Sequence, residues 1–159
     1  MIHLTLITVG TLKEGYLKDA EREYEKRLSQ YARVEEINIK EERIADEDDS
    51  AQIARALSAE GDKILDRIPQ GAYRIALCVE GREFDSVTLA REIERAAERC
   101  GKICLIIGSS HGLSDKVKSA CDLRLSVSRL TFPHQLMRVI LAEVLYRSFT
   151  IIAGKKYHK

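Results

Sequence analysis

The sequence predicts one α/β domain, built as a largely parallel sheet with helices on both faces. Two patterns and one bound carry this reading. Short, β-branched apolar runs alternate with longer stretches whose apolar residues recur at helical spacing, the signature of repeated βα units. Ile103 to Ile107 is apolar at every position, as expected of a central parallel strand covered on both sides. The chain has 159 residues of 45% hydrophobic content, enough for one core and too few for two ordinary domains, so residues 1–159 are read as a single domain.

In order along the chain, Ile2 to Val9 reads as a strand ending at Gly10. Leu12 to Tyr31 follows as an amphipathic helix, with Tyr16, Leu17, Ala20, Tyr24, Leu28 and Tyr31 on one face and charged residues on the other. Val34 to Ile39 is a weaker strand, and Lys40 to Asp49 is an acidic connection. Ser50 is placed to cap a helix carrying Ile53, Leu57, Ile64, Leu65 and Ile68, weakened at Gly61 and stopped by Pro69 and Gly71. Tyr73 to Val79 is the third strand, Glu80 to Glu83 a turn, and Ser86 the expected cap of a helix bearing Leu89, Ile93 and Ala97. After the Ile103–Ile107 strand come the loop Gly108-Ser109-Ser110-His111-Gly112, a short helix near Ser114 to Ala120, and a strand over Leu123 to Val127. The last helix, Gln135 to about Ile152, is apolar around nearly its whole circumference. One sheet face cannot hide all of that, so part of it is expected to form a homodimer interface.

Charge and cysteine usage narrow the function classes. The formal net charge is only +1, yet residues 124–159 hold seven basic residues and a single acid, Glu143. A polyanion meeting the C-terminal region fits that asymmetry. Cys78, Cys100, Cys104 and Cys121 lie in or beside apolar runs without CxxC spacing, as buried free thiols of a reducing compartment do. A zinc site from Cys100, Cys104 and His111 lacks paired-ligand spacing, and no metal is expected. No run approaches a membrane span and Met1 to Gly10 lacks a basic n-region, so the expected location is cytoplasmic.

Two loops at carboxyl ends of strands are the places where such a sheet binds ligands. The Gly108–Gly112 loop joins a strand to a helix, and its glycines permit a tight turn close to a ligand. The same residues spell G-x-S-x-G, which admits a hydrolase reading with Ser110 as nucleophile, Asp122 as orienter and His134 or His158 as base. The second loop, Val127 to Phe132, offers hydroxyls from Ser128 and Thr131, flanking apolar groups from Leu130 and Phe132, and a helix entry set by Pro133. His134 is a candidate base or a structural anchor, and Arg138, one turn on, a candidate phosphate contact.

Several stretches together resemble a known family. They are Ile7-Thr8-Val9-Gly10-Thr11-Leu12-Lys13, Glu23 to Leu28, Ile107 to Leu113, Leu125 to Arg138 with Thr131-Phe132-Pro133-His134-Gln135 at its centre, and the terminal Tyr157-His158-Lys159. In that order, over essentially the whole chain, they resemble the ribosomal RNA large subunit methyltransferase H family. That family consists of SPOUT-class enzymes that methylate N3 of pseudouridine-1915 in 23S rRNA. The resemblance implies a C-terminal trefoil knot, a homodimer and S-adenosylmethionine as methyl donor. It assigns the donor pocket to Leu77, Gly108, Gly112, Val127, Ser128, Arg129, Leu130, Thr131 and Phe132. It also implies that Tyr157 and His158 close over the target base, one of them or a water they hold accepting its N3 proton, while Arg138 orients the RNA backbone. The family loop usually has a second glycine where this chain has Ser109, Lys where it has Arg129 and Met where it has Leu130. Two other readings keep part of this picture: a tRNA methyltransferase of the same class, and a non-catalytic ribosome-binding protein.

Overall fold

The computed structural model describes residues 1–159. The order is β1 (Ile2–Val9), α1 (Gly15–Leu28), β2 (Ala32–Ile39), α2 (Ser50–Arg67), β3 (Tyr73–Glu83), α3 (Ser86–Cys100), β4 (Lys102–Ile107), α4 (Asp115–Ser119), β5 (Leu123–Ser126) and α5 (His134–Ile152). All five strands are parallel, in the order β2-β1-β4-β3-β5, so β4 and β1 are central as the continuous run at Ile103–Ile107 implies.

The two-residue period of the strands divides the core. Leu4 and Leu6, with Ile103, Leu105 and Ile107, face one side and pack against Leu28 of α1, Leu89 and Ile93 of α3, and Leu141, Leu145 and Phe149 of α5. Ile7 and Val9, with Cys104 and Ile106, face the other side and meet Ile64 of α2 and Val117 of α4. Helices therefore cover both faces. Burial pushes the Cys104 thiol up to about 12 and the Cys121 thiol to about 11, so these cysteines behave as small apolar groups. Cys100 packs with the α1/α3/α5 side and Cys104 with the other, and the sheet between them removes the zinc grouping.

Four local expectations are corrected. Asp49, not Ser50, caps α2, its Oδ1 accepting the Ala51 and Gln52 N–H groups at 2.9 and 3.3 Å. Asp85, not Ser86, caps α3, accepting the Thr88 N–H at 2.7 Å. In both, the carboxylate one residue earlier is the stronger acceptor and the serine becomes the first helical residue. Tyr16 lies 70% exposed, in the first turn of α1, which begins only at Gly15. The expected turn at Glu80–Glu83 is instead the second half of β3. Leu125 of β5 pairs with both Leu77 and Arg82, across a bulge that takes up the residues between them. At that crossing a Cβ on Gly81 would lie 2.8 Å from the Arg124 carbonyl and from the Leu125 backbone, so the two segments touch backbone to backbone.

α5 lies between α1 and α3, which cover much of its apolar circumference within the protomer. What stays open is a stripe from Leu136 toward Ile140 and Ile151. No helix is long and apolar enough to cross a membrane.

Candidate functional site

The ends of β3, β4 and β5 and the start of α5 enclose a cleft of about 670 Å³, within the size range of small-molecule sites. From β4 comes the loop Gly108–Gly112. Its turn is closed by the Gly112 N–H donating to the Ser109 carbonyl at 2.9 Å, with Gly112 at φ +87°. A Cβ on Gly108 would collide with the Gly112 carbonyl, so the loop folds back on itself only because that position is glycine. From β5 comes the loop 127–132. The Ser128 Oγ accepts the Leu130 N–H at 3.0 Å, and the Ser126 hydroxyl donates to the Ser128 carbonyl at 3.1 Å. These bonds to serine hydroxyls set the loop without a second strand.

Every residue assigned to the donor pocket lines this cleft except Arg129: Leu77, Gly108, Gly112, Val127, Ser128, Leu130, Thr131 and Phe132 all do. The Arg129 side chain is turned outward, where its Nε donates to Glu83 at 2.8 Å. An exposed guanidinium next to a carboxylate on the neighbouring strand has no reason to turn into a cleft with apolar walls. The pocket's glycines and hydroxyls were legible from the sequence; the far wall was not. Cys78 and Val79, at the expected end of β3, and Glu80, just past it where the strand continues, belong to it, and Lys118 joins from α4 through an ion pair with Glu80 that holds the Glu80 carboxyl below its ordinary range. Leu130 projects into the cleft mouth at 71% exposure.

The cleft suits S-adenosylmethionine. Leu77, Ile107, Leu113, Phe132 and Met137 give it an apolar wall for a flat ring, while Ser126, Ser128 and Thr131 put hydroxyls beside the polar parts. Glycine at 108 and 112 lets backbone amides approach that closely.

Arg138 is not at this cleft, and its expected role in RNA contact is corrected. It is 7% exposed, its guanidinium donating to Glu21 Oε1 and Oε2 at 3.0 and 3.3 Å, to the Gly10 carbonyl at 3.3 Å and to Glu36. All three nitrogens are engaged and the side chain is buried, so it is not presented to a phosphate. Around it Glu21, Glu25 and Glu36 converge with carboxylate oxygens within 4.8 Å of one another. Burial, then the charge of Glu36 and Glu21, raises the Glu25 carboxyl to about 7.

The terminal pair also lies outside the cleft. Tyr157 packs edge-on against Tyr146 with ring centroids 4.8 Å apart, and its hydroxyl donates to Glu143 at 3.1 Å. Arg147 lies over the Tyr157 ring at 4.8 Å and within 3.4 Å of His158 Nδ1. Burial, and then the hydrogen bond to Glu143, pushes the Tyr157 hydroxyl up and keeps it protonated. Glu143 and Arg147 were missed from sequence, although Glu143 is the only acid after residue 123 and stands four residues before an arginine.

The hydrolase reading fails on geometry. Ser110 follows β4 at the carboxyl edge of the sheet, whereas Asp122 precedes β5 and accepts the Arg74 N–H at 2.8 Å at the opposite edge. No triad spans that distance.

The chain matches the model of the predicted SPOUT methyltransferases over residues 2–158. It is 43% identical over 156 residues to the ribosomal RNA large subunit methyltransferase H of Caldicellulosiruptor saccharolyticus, covering 98% of this chain and 99% of that one. Among solved structures it is similar to the tRNA (m1G37) methyltransferase of Aquifex aeolicus, with a TM-score of 0.56, 14% identity and coverage of 99% of this chain and 73% of that one. It is also similar to a SpoU methyltransferase of Streptomyces viridochromogenes solved with its AdoMet cofactor, with a TM-score of 0.51, 13% identity and coverage of 97% and 59%.

Proposed function

The chain belongs to the SPOUT methyltransferase family, and from that premise we propose that it methylates N3 of pseudouridine-1915 in the 23S rRNA of the large ribosomal subunit, in the cytoplasm. One observation carries the reading. Two loops far apart in sequence, 108–112 and 127–132, converge on a single cleft that fits the methyl donor, inside a chain matching a large-subunit rRNA methyltransferase almost end to end.

S-adenosylmethionine bound there supplies an electrophilic methyl on a sulfonium, for in-line transfer to a ring nitrogen. The protein's part is to hold donor and base in near-attack geometry and to receive the N3 proton. Gly108, Gly112 and the 127–132 loop do the holding. Tyr157, kept protonated by burial and with its hydroxyl hydrogen committed to Glu143, offers its ring and hydroxyl oxygen to the base, and His158 is the proton acceptor.

The homodimer is part of this proposal. α5 enters the cleft at His134 and Met137, whereas the tail folds back along the helix so that Tyr157 rests on Glu143 and Tyr146, and neither Tyr157 nor His158 lines the cleft. Tyr157 and His158 therefore serve the cleft of a second copy, docked along the open Leu136–Ile151 stripe. The proposed trefoil crossing is supported by the backbone contact of Gly81 with Arg124 and Leu125 and by the enclosure of α5 between α1 and α3.

Mass mapping of 23S rRNA nucleosides, from cells with and without the protein and from ribosomal subunits treated with it, tests the reaction. A methyl on N3 of pseudouridine-1915 that depends on the protein is expected. An unmodified 23S rRNA alongside a modified tRNA would transfer the activity to the tRNA alternative.

A further inference from the structure

The donor cleft opens at the carboxyl ends of β3, β4 and β5. Beside it, at the carboxyl ends of β1 and β2, lies a second cavity of about 290 Å³. His134 lines both, so the two meet at the first turn of α5. Their linings differ. The cleft has an apolar wall, whereas the second cavity is lined by Lys13, Asn38, Lys40, Glu41 and Gln135 and the turn at Gly10, with no apolar side chain among them.

The floor of this cavity is fixed by the protein itself. Gly10, at φ +80°, donates its N–H to the Ile39 carbonyl at 2.9 Å, and its own carbonyl accepts from Asn38 Nδ2 and from Arg138 at 3.3 Å. The Lys13 N–H donates to Gln135 Oε1 at 3.2 Å, which ties the end of β1 to the start of α5. Above that floor the Lys13 and Lys40 side chains are exposed. Lys63, Lys116 and Lys118 are each held by a carboxylate, but Lys13 and Lys40 are held by none. Glu41, the one acid of the lining, is turned toward Gly10, where a Cβ would lie 3.2 Å from its Oε2.

A cavity of this composition suits a narrow set of ligands. Without an aromatic or apolar wall it offers a nucleobase nothing to stack on. Two lysines are point charges suited to phosphate oxygens, and the Gln135 side chain, its oxygen already bound, has its N–H groups left to donate. On the β3–β5 side of the cleft, Lys118 is neutralised by Glu80 and Arg129 by Glu83. Arg138 is buried. The negative charge of a strand is therefore met on the β1–β2 side. A strand whose target base enters the donor cleft carries a phosphate on either side of that base, and one that passes over His134 arrives at Lys13 and Lys40.

We propose that the Lys13–Lys40 cavity is a phosphate-binding subsite for the RNA, holding the backbone next to the target nucleotide while its base reaches the methyl donor. The proposal rests on the reading of the chain as an rRNA methyltransferase. Steady-state methylation of ribosomes from cells lacking the protein tests it, with wild type, Lys13→Gln, Lys40→Gln, the double variant and Lys102→Gln compared between about 50 and about 200 mM salt. Lys102, at the amino end of β4, is the control, because its loss removes the same charge at the opposite edge of the sheet. Each cavity variant is expected to raise KM for ribosomes roughly fivefold at the lower salt with kcat within about twofold, as loss of uniform binding does. The slope of log KM against log salt should fall by about one for each lysine removed. Lys102→Gln should match wild type in both, and calorimetric Kd for S-adenosylmethionine should stay within about twofold throughout. An unchanged KM, a loss confined to kcat, an equal rise in Lys102→Gln, a salt slope that does not fall, or weaker S-adenosylmethionine binding in the cavity variants would overturn the subsite. A wild type that leaves such ribosomes unmethylated would instead overturn the substrate reading.

Discussion

Replacing Arg138 by alanine is expected to destabilise the fold strongly, and to do so in a way that depends on pH. Its guanidinium is the only cation bonded to Glu21 and Glu36, and it also holds the carbonyl of Gly10 at the end of β1. Removing one partner of a buried ion pair leaves uncompensated charge and costs about 3–5 kcal/mol. At roughly 2–4 °C per kcal/mol for a chain of this size, the melting temperature at pH 8 should fall by about 6–20 °C. The sign of the pH dependence follows from the carboxyls. Glu25 is raised from 4.5 to about 7 in the folded protein, and Glu21 is also raised, first by burial. A group raised on folding adds stability that is complete below its unfolded value, near 4.5, and is lost as pH climbs through about 7. Without the arginine, whose charge lowers both groups, the folded values rise further. The variant then regains stability on acidification, because protonated carboxyls no longer need a cation. Differential scanning calorimetry of wild type and variant at pH 8 and pH 5.5 isolates the effect, since groups common to both cancel. A difference in stability below about 1 kcal/mol at pH 8, or one equal at both pH values, would refute the account of Arg138 as a buried structural cation.

Other predictions follow from the cleft and the tail. Gly108→Ala forces a Cβ against the Gly112 carbonyl, and the overpacking cost of about 1–3 kcal/mol predicts roughly 5- to 150-fold weaker S-adenosylmethionine binding by calorimetry; a change within twofold would contradict the loop geometry. Leu130, 71% exposed at the cleft mouth, is expected to be covered when the donor binds. Its replacement by alanine should raise Kd by roughly 5- to 30-fold for about 1–2 kcal/mol of lost burial, with little effect on the melting temperature of the free protein. Deleting residues 157–159 should abolish methylation while leaving S-adenosylmethionine affinity within about twofold, and full activity in the truncated protein would remove Tyr157 and His158 from the reaction.

The sheet was legible where the signal was local. Leu4 and Leu6 against Ile7 and Val9 announce two covered faces, because side chains alternate and both sets are apolar. The second half of β3 was hidden for the converse reason. Glu80 to Glu83 is polar and largely exposed, contains a glycine, and reads as a turn. It is a strand because β5 arrives beside it from more than forty residues away, and no local pattern encodes that meeting. The caps were displaced by one residue for a smaller reason: Asp-Ser at 49–50 and at 85–86 offers two competent acceptors, and the carboxylate takes the helix N–H groups in both.

The site divides along the same line. Gly108, Gly112, Ser128 and Thr131 declare a ligand loop through residue types that a tight, hydroxyl-rich turn requires, and all four line the cleft. Arg138 has the same chemistry whether exposed or buried. Its partners Glu21 and Glu36 are 117 and 102 residues away, so charge alone led to RNA when the fold led to an internal ion pair. The tail shows the opposite case. Composition makes Lys155 to Lys159 a frayed end, yet Tyr157 is held by Glu143, Arg147 and Tyr146, all on the α5 helix that precedes it. That helix lines the donor cleft at His134 and Met137, while Tyr157 and His158 fold back onto Glu143, Tyr146 and Arg147 outside it, which keeps the methyl donor and the proposed proton acceptor apart within a protomer. On the proposed reaction the tail of one copy serves the cleft of another, which makes the proposed dimer a condition of that chemistry as well as a way to cover apolar surface.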